Sequence, residues 1–131
     1  MEIVAVSVHA GGKKIDTSVD EHTVRTDLLE SSGGEGSAPE PLDILFVALA
    51  SCSANYAVEF CRAREIDTAG LAVRVAAKKT EESGLFDDVS VQLELPDDFP
   101  DKYRKAILRA TEKCTVKKHL QAQISVRAQV D

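Results

Sequence analysis

The sequence predicts an α+β protein, and three observations carry that reading. Alternating strand patterns fill the first 26 residues, two helical patterns follow later, and strand-like alternation returns between and after them instead of in regular βαβ repeats. At 131 residues the chain suits a single domain with a real core. Its 44% hydrophobic and 29% charged residues are those of an ordinary globular protein, far from the disordered regime. Tryptophan is absent and aromatics are 5% of residues, so core volume must come from Val, Leu, Ile and Ala.

Residues 2–9, EIVAVSVH, alternate apolar and polar with β-branched residues at every second position, which predicts a half-buried strand. Ala10-Gly11-Gly12 turns the chain. Residues 13–19 and 22–26 form two further short strands around an Asp20-Glu21 turn, so that residues 1–30 make an N-terminal β-meander. Residues 31–40, rich in Gly, Ser and Pro, have nothing to bury and read as a flexible surface loop or crossover. A central helix over 41–65 follows. Pro41 suits its first position, and Asp43, Arg62 and Arg64 complement the helix dipole at the two ends.

The remainder, 69–131, reads as a ββαβ unit. Residues 70–80 and 85–95 alternate on a period of two around a loop at 81–84. After the break at Pro96–Pro100, Tyr103, Ile107, Ala110 or Thr111, and Cys114 fall on one helical face, so a second helix should end near Cys114. Residues 116–121 extend it by a turn, with Thr115 as a candidate cap, and Ile124–Val130 close with a strand.

The formal net charge of −6 disfavours nucleic acid as a partner, because phosphate binding requires clustered cations. The N-terminus lacks the basic start and apolar core of a signal peptide. With three cysteines and no export signal, reduced thiols and a cytoplasmic setting are expected. The apolar run 42–61 has the length of a membrane span, but Asp43, Ser51, Ser53, Asn55 and Glu59 interrupt it. A helix buried by its own protein, with no membrane partner, is the expectation.

The thiols are the candidates for chemistry. Cys52 and Cys61 lie about 180° apart around one helix and cannot share a site. Cys52 and Cys114 each sit on the expected core face of their own helix and meet only where those helices pack. A free cysteine often serves merely as a small buried hydrophobe, and Cys61 is read that way. Cys114 differs because it stands at a helix end before TVKKHL, where backbone N–H groups and lysines can stabilise a thiolate. No cysteine and histidine spacing fits a metal, His22 and His119 read as surface residues, and no cofactor is expected. Glu59 returns to the Cys52 face after two turns and is expected to be solvated.

PLDILFVALASCSANYAVEFCRAREI, followed some sixty residues later by ATEKCTVKKHL, resembles the OsmC/Ohr family of thiol-dependent hydroperoxide reductases. In that family a Pro-led apolar helix carries the first cysteine, and a second helix ends in a segment like K-C-P-V-H-x-x-L. The stretch DEHTVRTDLLESSGGEGSAPEP is similar to the family's Gly-rich approach to the helix. The resemblance implies an OsmC-like intertwined homodimer, with antiparallel sheets wrapping two central helices. It further implies that Cys52 is the peroxidatic cysteine, that Cys114 resolves its sulfenic acid as a disulfide, that organic hydroperoxides are the substrates, and that a dithiol such as a lipoyl group is the reductant.

Departures from the pattern bear on the site. The Ohr branch has a Glu directly after the leading Pro that orients an N-terminal Arg; here that position is Leu42, and the nearest carboxylate, Asp43, is rotated by about 100°. Asp43 is therefore either a site residue or a dipole-favoured surface acid. Arg25, the one Arg before the helix, either serves the site across the dimer or is an ordinary strand residue. Thr115 replaces the usual Pro and regains an N–H that can donate to a thiolate. Two other functions compete: an OsmC-like small-ligand-binding protein without efficient turnover, and a plain structural domain with sealed cysteines.

Overall fold

The computed structural model describes residues 1–8 and 11–130. The chain forms two compact units, Met1–Phe46 and Val47–Asp131.

In the first unit, β1 (Ile3–Ser7), β2 (Ile15–Val19) and β3 (His22–Thr26) form an antiparallel sheet in the order β1-β2-β3. This is the expected meander. His9, and Ala10 of the expected turn, lie outside the described residues. Asp20 supplies the tight β2–β3 turn with a positive φ of 50°, a conformation in which Asp and Asn are enriched. The register sets Arg25 opposite Asp16, and the two form a forked ion pair at 2.7 and 2.8 Å.

The Gly/Ser/Pro segment differs from the flexible loop its composition suggests. Asp27, 1% exposed, accepts hydrogen bonds from the backbone N–H groups of Leu28, Glu35 and Ser37 and from the Ser37 hydroxyl. That shell, led by the Ser37 hydroxyl, holds its carboxyl down at about 2. Gly34 is obligatory in this wrap, because a Cβ there would sit 2.0 Å from the Leu28 carbonyl oxygen. A short 3-10 turn, Glu30–Ser32, completes the loop.

The central helix α1 spans Pro41–Ala63. Pro41 occupies its first position as expected, and Asp43 reaches back to accept the Glu40 N–H at 3.0 Å, half of a capping box. By length and composition α1 could cross a membrane, and only 28% of its most apolar stretch is buried within this chain. This corrects the expectation of a helix buried by its own protein. Leu49, Ser53, Ala57, Phe60 and Cys61 are buried, whereas Leu42, Leu45 and Val47 are exposed.

In the second unit β4 (Ala72–Lys79) and β5 (Phe86–Glu94) form an antiparallel hairpin with an irregularity at Lys78/Lys79. A 3-10 turn (Asp101–Tyr103) leads into α2 (Arg104–Thr111), and α3 (Thr115–Gln121) follows. The core joins Ala57, Phe60 and Cys61 of α1 to Phe99 and Ile107. Phe60 and Tyr103 pack edge to face at 5.8 Å, and the Arg64 guanidinium lies 3.6 Å over the Phe60 ring.

The closing strand expected at Ile124–Val130 is not formed. Residues 123–130 belong to no strand, and Ile124, Val126 and Val130 are exposed. Alternation specifies a strand only where a neighbouring edge offers a ladder of backbone partners. Among the described residues no other strand pairs with this segment.

Candidate functional site

The site lies where α1 meets the start of α3. On α1, Cys52, Ser53 and Tyr56 occupy adjacent positions of one helical surface, with Ser53 2% exposed and Cys52 half-buried. On the other side α2 stops at Thr111, and the chain restarts as α3 with Cys114 as its N-cap residue. Thr115, the expected cap, is instead the first helical residue. Its hydroxyl meets the Tyr56 hydroxyl at 3.1 Å, tying the beginning of α3 to α1.

Cys114 is fully buried and free, as are the other two thiols free. Its sulfur accepts the Lys117 N–H at 3.4 Å, the role a Ser or Asp oxygen usually plays at a helix start. Hydrogen bonding from the Cys52 thiol and the Ser53 hydroxyl also acts on the Cys114 thiol to lower it. Burial pushes the Cys114 thiol up, but the Lys117 N–H, Cys52, Ser53 and the Val116 N–H together outweigh it, and the net displacement is downward. The N–H groups that contribute are those of Lys117 and Val116, not that of Thr115.

Beside Ser53 a cavity of about 170 Å³ opens, walled by Val89 and Val91 of β5, Leu108 and Thr111 of α2, and the ion-paired Glu112 and Lys117. One apolar wall and one polar wall suit a small amphiphile.

Of the residues singled out from sequence, Cys52 is among the groups that lower the Cys114 thiol. Arg25 is engaged by Asp16, and Asp43 caps α1. Glu59 is solvated and faces Arg62 at 3.9 Å, as expected. Cys61 lies fully buried in the core, where burial pushes its thiol up against a smaller opposing pull from Arg64. His22 and His119 are exposed. Among the described residues no cluster of His, Cys, Asp and Glu could hold a metal ion. Ser53, which lines the cavity, reads in the sequence only as a polar interruption of an apolar run.

Fold and site define a class: α+β proteins in which a central apolar helix sets one cysteine against a second cysteine at the head of a short helix. The family model described as OsmC-like protein matches residues 34–129, and the chain belongs to that family. Solved structures agree on the fold. An osmotic-stress and detoxification-response protein from Psychrobacter arcticus 273-4 aligns with a TM-score of 0.72 at 23% identity, over 88% of this chain and 85% of that one. An OsmC-like protein from Mycoplasma pneumoniae gives 0.71 at 19%, over 92% and 86%. The organic hydroperoxide resistance protein OhrB of Bacillus subtilis gives 0.53 at 14%, over 92% and 89%. No curated protein sequence matches the chain.

Proposed function

We propose that this protein is a cytoplasmic, thiol-dependent peroxidase that reduces organic hydroperoxides as a homodimer. The observation that carries the proposal is that Cys52, half-buried and so reachable, is among the groups whose hydrogen bonding lowers the thiol of Cys114, itself fully buried at the head of α3. In the proposed cycle the Cys52 sulfur attacks the outer peroxide oxygen. The O–O bond breaks, the thiol proton ends on the departing alkoxide as an alcohol, and Cys52 is left as a sulfenic acid. The Cys114 thiolate then attacks the Cys52 sulfur, forming the disulfide and expelling hydroxide, which is protonated to water. A dithiol of the lipoyl kind returns both thiols by exchange.

The cavity wall of Val89, Val91 and Leu108 supports an organic substrate over hydrogen peroxide. The exposed Leu42, Leu45 and Val47 on α1 support a second copy as their cover. Arg25 and Asp43 stand outside the two-sulfur chemistry in this reading, each having a structural partner.

The test is a thiol count after mixing reduced protein with cumene hydroperoxide, tert-butyl hydroperoxide or hydrogen peroxide. The expected result is rapid loss of two thiols per chain with the organic peroxides, abolished by Cys52→Ser and unaffected by Arg25→Ala. Thiols that stay unreactive favour a ligand-binding protein of the same fold.

A further inference from the structure

Resting on that peroxidase reading, we propose that the Tyr56 and Thr115 hydroxyls form a clamp between α1 and α3 that positions Cys114 for disulfide closure with Cys52. Both are positioning residues, because they act on the resolving step through the helices that carry the two sulfurs. Tyr56 stands one helical turn beyond Cys52 on α1, and Thr115 follows Cys114 directly in the chain. Their hydroxyl oxygens lie 3.1 Å apart, and either can donate. The bond thus crosses between the helices one turn from the first cysteine and one residue from the second.

No other bond of this kind ties α3 to α1. Among the described residues, every other hydrogen bond or ion pair of residues 115–121 closes within the segment 112–122. These are the Lys117 N–H to the Cys114 sulfur, the Lys117–Glu112 ion pair, the His119 ring to the Thr115 carbonyl, and backbone bonds of the short helix. None of the residues of α3 is buried. The chain enters α3 through residues 112–114, where the Cys114 N–H donates to the Thr111 carbonyl at 3.1 Å. Without the clamp, the head of α3 is held by that local turn and by the buried Cys114 side chain.

A disulfide closes only over a narrow range of Cα separation and side-chain direction. A hydrogen bond between neighbours of the two cysteines removes backbone freedom that closure would otherwise have to remove, and so raises the effective concentration of one sulfur at the other. The coupling is reciprocal, since the S–S bond holds the two hydroxyls together as they hold the sulfurs. In the resolving step the Cys114 sulfur bonds to the Cys52 sulfur, the S–O bond of the sulfenic acid breaks, and hydroxide leaves to be protonated to water. The earlier attack on the peroxide does not involve Cys114, so the clamp bears on the second step.

Two measurements on the full chain test this. The first is the Cys52–Cys114 disulfide equilibrium in mixtures of reduced and oxidised dithiothreitol. Tyr56→Phe and Thr115→Val should each shift it toward the thiols by about two- to tenfold, the worth of one hydrogen bond. Thr115→Ser, which keeps the hydroxyl, should hold the wild-type position, and the double variant Tyr56→Phe/Thr115→Val should fall no further than either single one. The second is rapid mixing with cumene hydroperoxide, with sulfenate trapped chemically. There Tyr56→Phe should slow disulfide closure relative to sulfenate formation, a ratio that a merely structural role would not move. An equilibrium left unmoved by Tyr56→Phe overturns the proposal, as do additive losses in the double variant. A wild type that closes the disulfide in dithiothreitol with the expected shifts, yet forms no sulfenate with the peroxide, removes the peroxidase reading and leaves the clamp standing. A wild type that never closes the disulfide removes both.

Discussion

Cys61 and Cys114 are both wholly withdrawn from solvent, yet their thiols are driven in opposite directions. Around Cys61 stand Ala57, Phe60, Phe99 and Ile107, none of which offers a side-chain donor, and desolvation keeps it protonated. Around Cys114 stand two backbone N–H groups, a hydroxyl and another thiol. Burial is thus the same in the two regions, and what decides reactivity is whether polar hydrogens were buried along with the sulfur. A cysteine in an apolar helix is inert or reactive according to its neighbours one turn away, not according to its own depth.

The largest test of this contrast removes the apolar shell. Ile107→Ala should cost about 2–5 kcal/mol of stability by opening a cavity in the second unit's core. By admitting water it should bring the Cys61 thiol back toward its ordinary value while leaving Cys114 where its hydrogen bonds set it. Chemical denaturation and cysteine NMR titration of the variant measure both effects. A smaller effect, about 1–3 kcal/mol, is expected of Cys61→Ser, which buries a hydroxyl among hydrocarbons. Peroxide-driven loss of the Cys52 and Cys114 thiols should continue undiminished in that variant, and a loss of turnover there would erase the distinction between the two cysteines.

The smallest effect is the pH dependence of stability, and its sign differs between the sites. The ordinary thiol value is 9.0, and Cys114 lies below it in the folded protein while Cys61 lies above it. Below 9.0 the folded state has lost the Cys114 proton that the unfolded chain keeps, so stability rises with pH through that window. It falls away again as pH drops through the lowered value. Above 9.0 the unfolded chain loses the Cys61 proton first, so stability falls as pH rises. Denaturation midpoints across this range should give a shallow maximum near the ordinary thiol value. Cys114→Ser should remove its acid limb and Cys61→Ser its alkaline limb.

Much of the architecture was legible before any coordinates. The period-two alternation gave five strands close to their observed limits, and Pro41 with the flanking charges gave α1. The exception, Ile124–Val130, failed because a strand is a property of two segments and alternation describes only one. The site was legible as a pair of cysteines in recognisable surroundings. Ser53 was not, because a hydroxyl's worth depends on what faces it from another helix. Nor could one strand disclose that Arg25 lies opposite Asp16; that requires the register of β2 against β3.

The knot around Asp27 has a practical side. A tract of Ser, Gly and Pro looks like the natural place to splice in an epitope tag or to shorten the protein. Here its amides are spoken for one by one, and its length is as fixed as that of any strand. Peptide grafts between Gly33 and Ser37 should therefore be tolerated poorly, and those made in the hairpin tip at Glu81–Glu82, where the side chains stand in open solvent, should be accepted.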